Sequence, residues 1–175
     1  MPRIGQNPSR GKTLEYAPAR TTVAVLVYVP HQAGYFQDRL DVTRITIESI
    51  LTNTKQPFDL LVFDNGSCPE MVAFLQGLYD QGVIDYLLLS KHNIGKLNAL
   101  RVIFTTAPGE IVAYTDDDVF HLPGWLGAHL EIIDTYPRVG AVTGIDIRQR
   151  GVMRSESTAA FADRPEIETQ RGQLM

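Results

Sequence analysis

The run Thr22-Val-Ala-Val-Leu-Val-Tyr-Val29 constrains this chain more than any other segment: it is almost wholly apolar, rich in β-branched residues and closed by Pro30. A strand with one wet face alternates apolar and polar residues, whereas a run without alternation belongs to a strand covered on both faces. Covering both faces requires helices above and below, so the segment implies a mostly parallel sheet in an α/β protein.

The neighbouring segments supply those helices. Phe36, Leu40, Thr43, Ile47, Ile50 and Leu51 recur three or four apart and predict an amphipathic helix ending near Asn53. Phe58–Phe63 reads as a second strand, stopped by the turn cluster Asp64-Asn-Gly-Ser67. Pro69 stands where a first helical residue should, with Ser67 or Cys68 as cap and Val72, Leu75, Leu78 and Tyr79 as the buried stripe up to Gly82. Val83–Leu89 is a third strand with Asp85 as its one charge, followed by a loop, Ser90–Gly95, and a helix whose inner face is Leu97, Leu100, Ile103 and Phe104. A strand at Ile111–Thr115, a helix carrying Trp125, Leu126, Leu130 and Ile133, and a fifth strand at Val139–Ile145 complete the series. Strands alternating with helices in this way are βαβ units.

Around this body the chain changes character. Residues 1–20 are rich in Pro, Gly, Asn and Arg and are expected to be a flexible arm. Residues 146–175 carry many charges among few large apolar side chains and read as a flexible or incomplete segment. Residues 21–145 hold the regular pattern, and 175 residues suit one such domain. A net charge of −4 and a pI near 5.5 argue against nucleic acid as a partner. The single cysteine, Cys68, excludes a disulfide framework or a Cys-based zinc cluster and makes a reducing compartment the easier reading. No segment has the apolar length of a transmembrane helix. The expectation is a soluble, cytoplasmic chain, with peripheral membrane association as the alternative.

In sheets of this kind ligands bind outside the carboxyl ends of the strands. The loops Pro30-His31-Gln32, Asp64–Ser67, Lys91–Lys96 and Asp116–Asp118 are therefore expected on one edge. The last of these is the most unusual, since the strand Ile111–Thr115 runs straight into Asp116, Asp117 and Asp118. Two carboxylates about 4 Å apart repel by roughly 1 kcal/mol in water and about 4 kcal/mol at an effective dielectric of 20. Keeping them together away from water requires a cation or a raised pKa. A solvated loop in which one Asp caps the helix near Pro123 is the alternative. Asp116 and Asp118 suit a hard divalent cation such as Mg²⁺, which takes one or two carboxylates plus the oxygens of a diphosphate. Lys91 and Lys96 add positive charge, and the helix opening at Gly95-Lys96 offers free N–H groups to an anion. Asp64 is placed to accept hydrogen bonds from a base or ribose, while Asn93 and Gly95 suit a turn. His31, His92 and His121 read as surface or packing residues, Trp125 as core, and Cys68 as packed in a first helical turn. Glycine-rich phosphate loops are absent.

Taken in order, Thr22–Pro30, Leu61-Val-Phe-Asp64-Asn-Gly-Ser67, Asn93-Ile-Gly-Lys-Leu-Asn98, Gly109–Asp118 and Pro123-Gly-Trp-Leu126 resemble the family-two glycosyltransferases of the GT-A fold. The resemblance spans roughly residues 21–145. It implies a Rossmann-like nucleotide-binding domain with a mostly parallel central sheet, a nucleotide-diphosphate-sugar donor and a divalent metal, Mn²⁺ or Mg²⁺. On matching positions, Pro30, Asp64, Asn93, Lys96, Asp116 and Asp117 would line the donor site, with Asp64 at the base. Asp116 and Asp118 would form the DxD pair at ribose, metal and diphosphate, with Asp117 in its variable middle position.

The reaction implied is hexosyl transfer to an unknown acceptor, a glycan, lipid or protein, with inversion if the acceptor region is complete. Inverting members carry their general base, an Asp or Glu, downstream of the DxD, where Glu156 and Asp163 are the candidates here. The competing expectations are a non-catalytic nucleotide-sugar-binding or scaffold domain lacking the acceptor half and, more weakly, a nucleotidyltransferase.

Overall fold

The computed structural model describes residues 17–144; residues 1–16 and 145–175 lie outside the described residues, and with them Glu156 and Asp163. The chain divides into two compact units, Met1–Ala128 and His129–Met175.

The first unit is built on a four-stranded sheet in which every pairing is parallel. Strand β1 (Thr21–Val27) lies between β2 (Phe58–Asp64) and β4 (Ile111–Asp116), and β3 (Tyr86–Leu89) pairs with the outer side of β2. All seven β1 residues are buried, as a strand without alternation demands. The edge strands β3 and β4 are mostly half-buried. Helices α1 (Arg39–Asn53), α2 (Pro69–Asp80) and α3 (Lys96–Thr106) follow β1, β2 and β3, and α4 (Trp125–Thr135) follows β4. Strand alternation sends Ala24, Leu26, Leu61 and Phe63 to one face, where they pack with Ala99 and Ile103 of α3. It sends Val23, Val25, Leu60 and Val62, all fully buried, to the other.

The register brings the strand ends into one row. Leu26 pairs with Asp116 and Phe63, Val27 with Asp64, and Asp64 with Leu89. The carboxyl ends of all four strands thus share an edge, as expected from the loop motifs. At the opposite end the chain enters β1 under restraint: Ala19 N–H donates to Asp59 at 3.0 Å, and the Arg20 carbonyl accepts from Ile111 N–H at 3.1 Å.

Several local expectations give way. A single 3-10 turn (Gly34–Phe36) precedes α1, so the helix starts at Arg39 rather than near Phe36. β3 begins at Tyr86, because Asp85 instead accepts from Leu60 N–H at 2.7 Å and closes the start of the β2–β3 pair. Leu97, Phe104, Leu51 and Tyr79 are exposed, while Ala99, Met71 and Thr46 face inward. On α3 the small Ala99 lets the helix approach the sheet, and this choice of face turns Leu97 outward. Residues 139–144 form no strand; Gly140 and Gly144 interrupt the apolar run, and glycine weakens strand interiors. No described helix is long and apolar enough to cross a membrane.

Candidate active site

β1 has β2 on one side and β4 on the other, so its end is the point where the winding direction of the sheet reverses and where such sheets open a crevice. A cavity of about 370 Å³ lies there. Leu26 and Tyr28 line it from β1 and its exit, Arg39 from α1, Asn65 from the turn after β2, Asn93, Gly95 and Lys96 from the β3–α3 connection, and Asp116, Asp117 and Asp118 from the end of β4.

The three aspartates have three different environments. Asp116 remains on the strand, and alternation puts Tyr114 on the same face two residues earlier, where its hydroxyl donates to Asp116 Oδ1. Lys96 Nζ reaches across from the first residue of α3 to both carboxylate oxygens, at 2.8 and 2.9 Å, and sits 5.8 Å from the centre of the Tyr114 ring. Burial pushes the Asp116 carboxyl upward, but the bonds from Lys96 and Tyr114 outweigh it and hold the group below its ordinary range. Tyr114 is driven the other way, by burial first and then by its bond to Asp116. At neutral pH Asp116 is therefore a carboxylate and Tyr114 a phenol.

Asp117 turns inward against α1 and is only 5% exposed. Arg39 Nη2 lies 2.5 Å from its Oδ1, Thr43 Oγ1 donates to its Oδ2 at 3.3 Å, and Thr46 Oγ1 donates to its backbone carbonyl at 2.9 Å. Burial pushes its carboxyl up to about 6, with Arg39 opposing the shift. Asp118 is nearly half exposed and receives the other arm of the same guanidinium, Arg39 Nη1, at 2.9 Å. Burial acts to lower the Arg39 pKa, but the Asp118 and Asp117 contacts hold it above its already high range.

The turn after β2 braces the opposite wall. Asp64 is buried, and its Oδ2 accepts from the backbone N–H groups of Gly66 and Ser67, both at 3.2 Å; its Oδ1 has no hydrogen-bond partner. Asn65 donates to Asn93 Oδ1 at 3.1 Å and accepts from Ile94 N–H at 2.9 Å, while Asn93 Oδ1 also accepts from Gly95 N–H at 2.8 Å. Gly66, at φ +84, lies so close to the β3–α3 connection that a Cβ would stand 2.7 Å from backbone atoms of His92 and Asn93. Only glycine accommodates both the positive φ and that approach.

Of the residues singled out in the sequence, Asn93, Lys96, Asp116, Asp117 and Asp118 meet at the cavity, whereas Pro30, Asp64 and Lys91 do not line it. His121 is a buried packing residue, its ring 4.3 Å from that of Trp125 and its backbone N–H donating to Ser49. Cys68 is buried at the N-cap of α2, directly before Pro69. Asn65 arrives with the Asp64–Ser67 loop expected on this edge, whereas Arg39, Tyr114 and Tyr28 are additions the structure makes. Tyr114 was discoverable by the two-residue strand period, but Arg39 had no local signal, since its partners lie 78 and 79 residues away.

The donor set bears on metal binding. Among the described residues no group of three or more His, Cys, Asp and Glu is arranged to hold an ion by itself. Asp116 and the half-exposed Asp118 both line the cavity, paired there with Lys96 and Arg39 respectively.

The fold and cleft define a doubly wound α/β protein whose acidic strand end, balanced by lysine and arginine, occupies the ligand-binding edge. Residues 35–173 match glycosyl transferase family 2, and the chain belongs to that family. An uncharacterized glycosyltransferase of Nostoc sp. is 28% identical over 101 residues, covering 58% of this chain and 31% of that protein. A mannosyltransferase of Pyrobaculum calidifontis, solved in complex with GDP-Man and Mn²⁺, superimposes with a TM-score of 0.60 at 21% identity over 78% of this chain and 40% of that one. S. aureus TarS 1-349 in complex with UDP superimposes with a TM-score of 0.52 at 18% identity, over 66% of this chain and 32% of that one. At these identities the structural likenesses show the fold alone, which is GT-A. The chain spans less than half the length of each of these proteins.

Proposed function

We propose that this chain carries the donor site of a glycosyltransferase that moves a sugar, of hexosyl type, from a nucleoside-diphosphate donor to an acceptor hydroxyl with the help of Mn²⁺ or Mg²⁺. The observation that carries the reading is the meeting of Asp116, Asp118, Lys96 and Arg39 at one cavity on the β1–β4 crevice. Membership of glycosyl transferase family 2 supports it, as do structural neighbours that hold GDP-Man with Mn²⁺ or UDP.

Asp116 and Asp118 would hold the metal, which when bound supplies positive charge to the departing diphosphate. Lys96 lines the space where that diphosphate would lie and offers charge-assisted hydrogen bonds to phosphate oxygens. Lys96 keeps Asp116 ionised before any ligand arrives. Asp64 Oδ1, a buried acceptor lacking a partner, is assigned to a donor group of the nucleotide base. Residues 21–145 form the nucleotide-sugar domain in this reading, and 146–175 belong to the acceptor side. There a carboxylate, Glu156 or Asp163, would take the acceptor proton for in-line attack with inversion.

Incubation of the chain with a panel of nucleotide sugars and Mn²⁺, followed by assay of released nucleoside diphosphate, tests the proposal. Release that needs metal and is lost in Asp118→Asn is expected. Metal-dependent binding without release would instead identify a binding-only domain, and release indifferent to chelation would refute the metal role.

A further inference from the structure

We infer that Arg39 is a positioning residue of this site: its guanidinium fork fixes the turn after β4 so that Asp118 presents its carboxylate to the cavity in one orientation. The inference rests on the donor-site function proposed above. Arg39 is the first residue of α1, and its two Nη atoms go to two different carboxylates, Asp117 at 2.5 Å and Asp118 at 2.9 Å. Asp117 is the anchor. It is buried, its carboxylate also receives Thr43, and its backbone carbonyl receives Thr46, so α1 grips the turn at the residue between the two candidate metal ligands. Asp118, by contrast, is half open and has Arg39 as its ion-pair partner.

The Arg39 side chain is only 15% exposed, and its Nε is buried without an acceptor. A buried donor left unmatched is destabilising, so the placement of this side chain is dictated by the two carboxylates its fork bridges. Lysine preserves the charge but has no planar fork, and one ammonium does not reproduce a bridge between two acids. Loss of a group that orients a metal ligand typically weakens metal binding or activity by about 10- to 100-fold. A simple counter-charge makes a different prediction, since lysine would replace it.

The probe is Mn²⁺ with GDP or UDP, titrated into the full chain and followed by electron paramagnetic resonance, which reports free ion and the line shape of bound ion. The comparison is between wild type, Arg39→Lys and the double variant Arg39→Lys/Asp117→Asn, which removes the buried carboxylate that a weaker Arg39 substitute would leave unpaired. The expected result is Mn²⁺–nucleotide binding about 10- to 100-fold weaker in Arg39→Lys, with an altered bound-ion line shape and a melting temperature near that of wild type. If Arg39→Lys does not fold, the double variant takes its place with the same expected weakening. Affinity within about twofold of wild type in the folded lysine variant, with an unchanged line shape, overturns the inference and leaves the donor-site reading standing. Failure of wild type itself to bind either nucleotide with Mn²⁺ overturns both.

Discussion

β2 and β4 flank the same central strand and both end in aspartate, yet the two ends are built in opposite ways. At the end of β2, Asp64 is buried and its Oδ2 is used by the backbone of its own turn; Asn65 and Gly66 then lock that turn onto the β3–α3 connection. At the end of β4, three carboxylates are held by side chains arriving from elsewhere, Lys96 from α3 and Arg39 from α1. The first end is fixed by short-range geometry with a neutral surround. The second is fixed by charge, and charge-held groups can exchange partners for a ligand of matching charge. What distinguishes the β4 end is the set of long, cationic side chains aimed at it.

The largest test of this contrast is Gly66→Ala. A positive φ and backbone atoms 2.7 Å from the added Cβ are expected to lower stability by roughly 2–5 kcal/mol in urea unfolding. A loss below about 0.5 kcal/mol would break the claim that the β2 end is rigid. Next, Lys96→Met removes the group that holds Asp116 ionised and faces the cavity, and binding of GDP or UDP with Mn²⁺ is expected to weaken about tenfold, measured by calorimetry. Undiminished binding would mean that the cation at the β4 end is structural, like the turn at β2.

A smaller effect is written in pH. The Asp117 carboxyl is raised by burial to about 6 in the fold, against an unfolded value near 3.9. Between those values the folded chain binds more protons than the unfolded one, so this group makes stability fall as pH rises from about 4 to about 6. Asp117→Asn should remove that slope, on the order of 1–2 kcal/mol, when thermal unfolding is followed across the window. An identical pH profile in the variant would show that Asp117 is not held in a desolvated place. The smallest expected effect is Leu97→Ala. Adjacent to Lys96 in sequence but 77% exposed, it should change stability by no more than about 0.5 kcal/mol, whereas Ile103→Ala on the inner face should cost about 2–5 kcal/mol.

The sheet was legible because Thr21–Val27 and Phe58–Asp64 announce themselves by composition and by the turn residues that close them. The gathering of Lys96 with Asp116 was legible as well, since a parallel sheet sends all loops that follow its strands to one edge. Of the inner face of α3, only Ile103 was. Apolar residues at 97, 100, 103 and 104 satisfy helical spacing, but the sheet accepted Ala99 and Ile103 because a small residue permits closer approach. Arg39 was invisible for a different reason: an arginine at the start of a helix looks like solvated charge until the fold delivers Asp117 and Asp118 to it. Tyr114 read as one more apolar strand residue, although the pleat assigns it the same face as Asp116. Apolar content at 139–145 suggests a strand, but Gly140 and Gly144 interrupt it and residues 139–144 form none.

The central claim is that the β4 end accepts a metal and a nucleoside diphosphate together. Calorimetric titration of GDP, UDP and TDP into the chain, with and without Mn²⁺, on wild type and on Asp118→Asn, tests it directly. The account predicts that at least one nucleotide binds wild type only with the ion present, and that Asp118→Asn weakens this binding by about 100-fold. Binding that is independent of Mn²⁺, or equal in the two proteins, would contradict it.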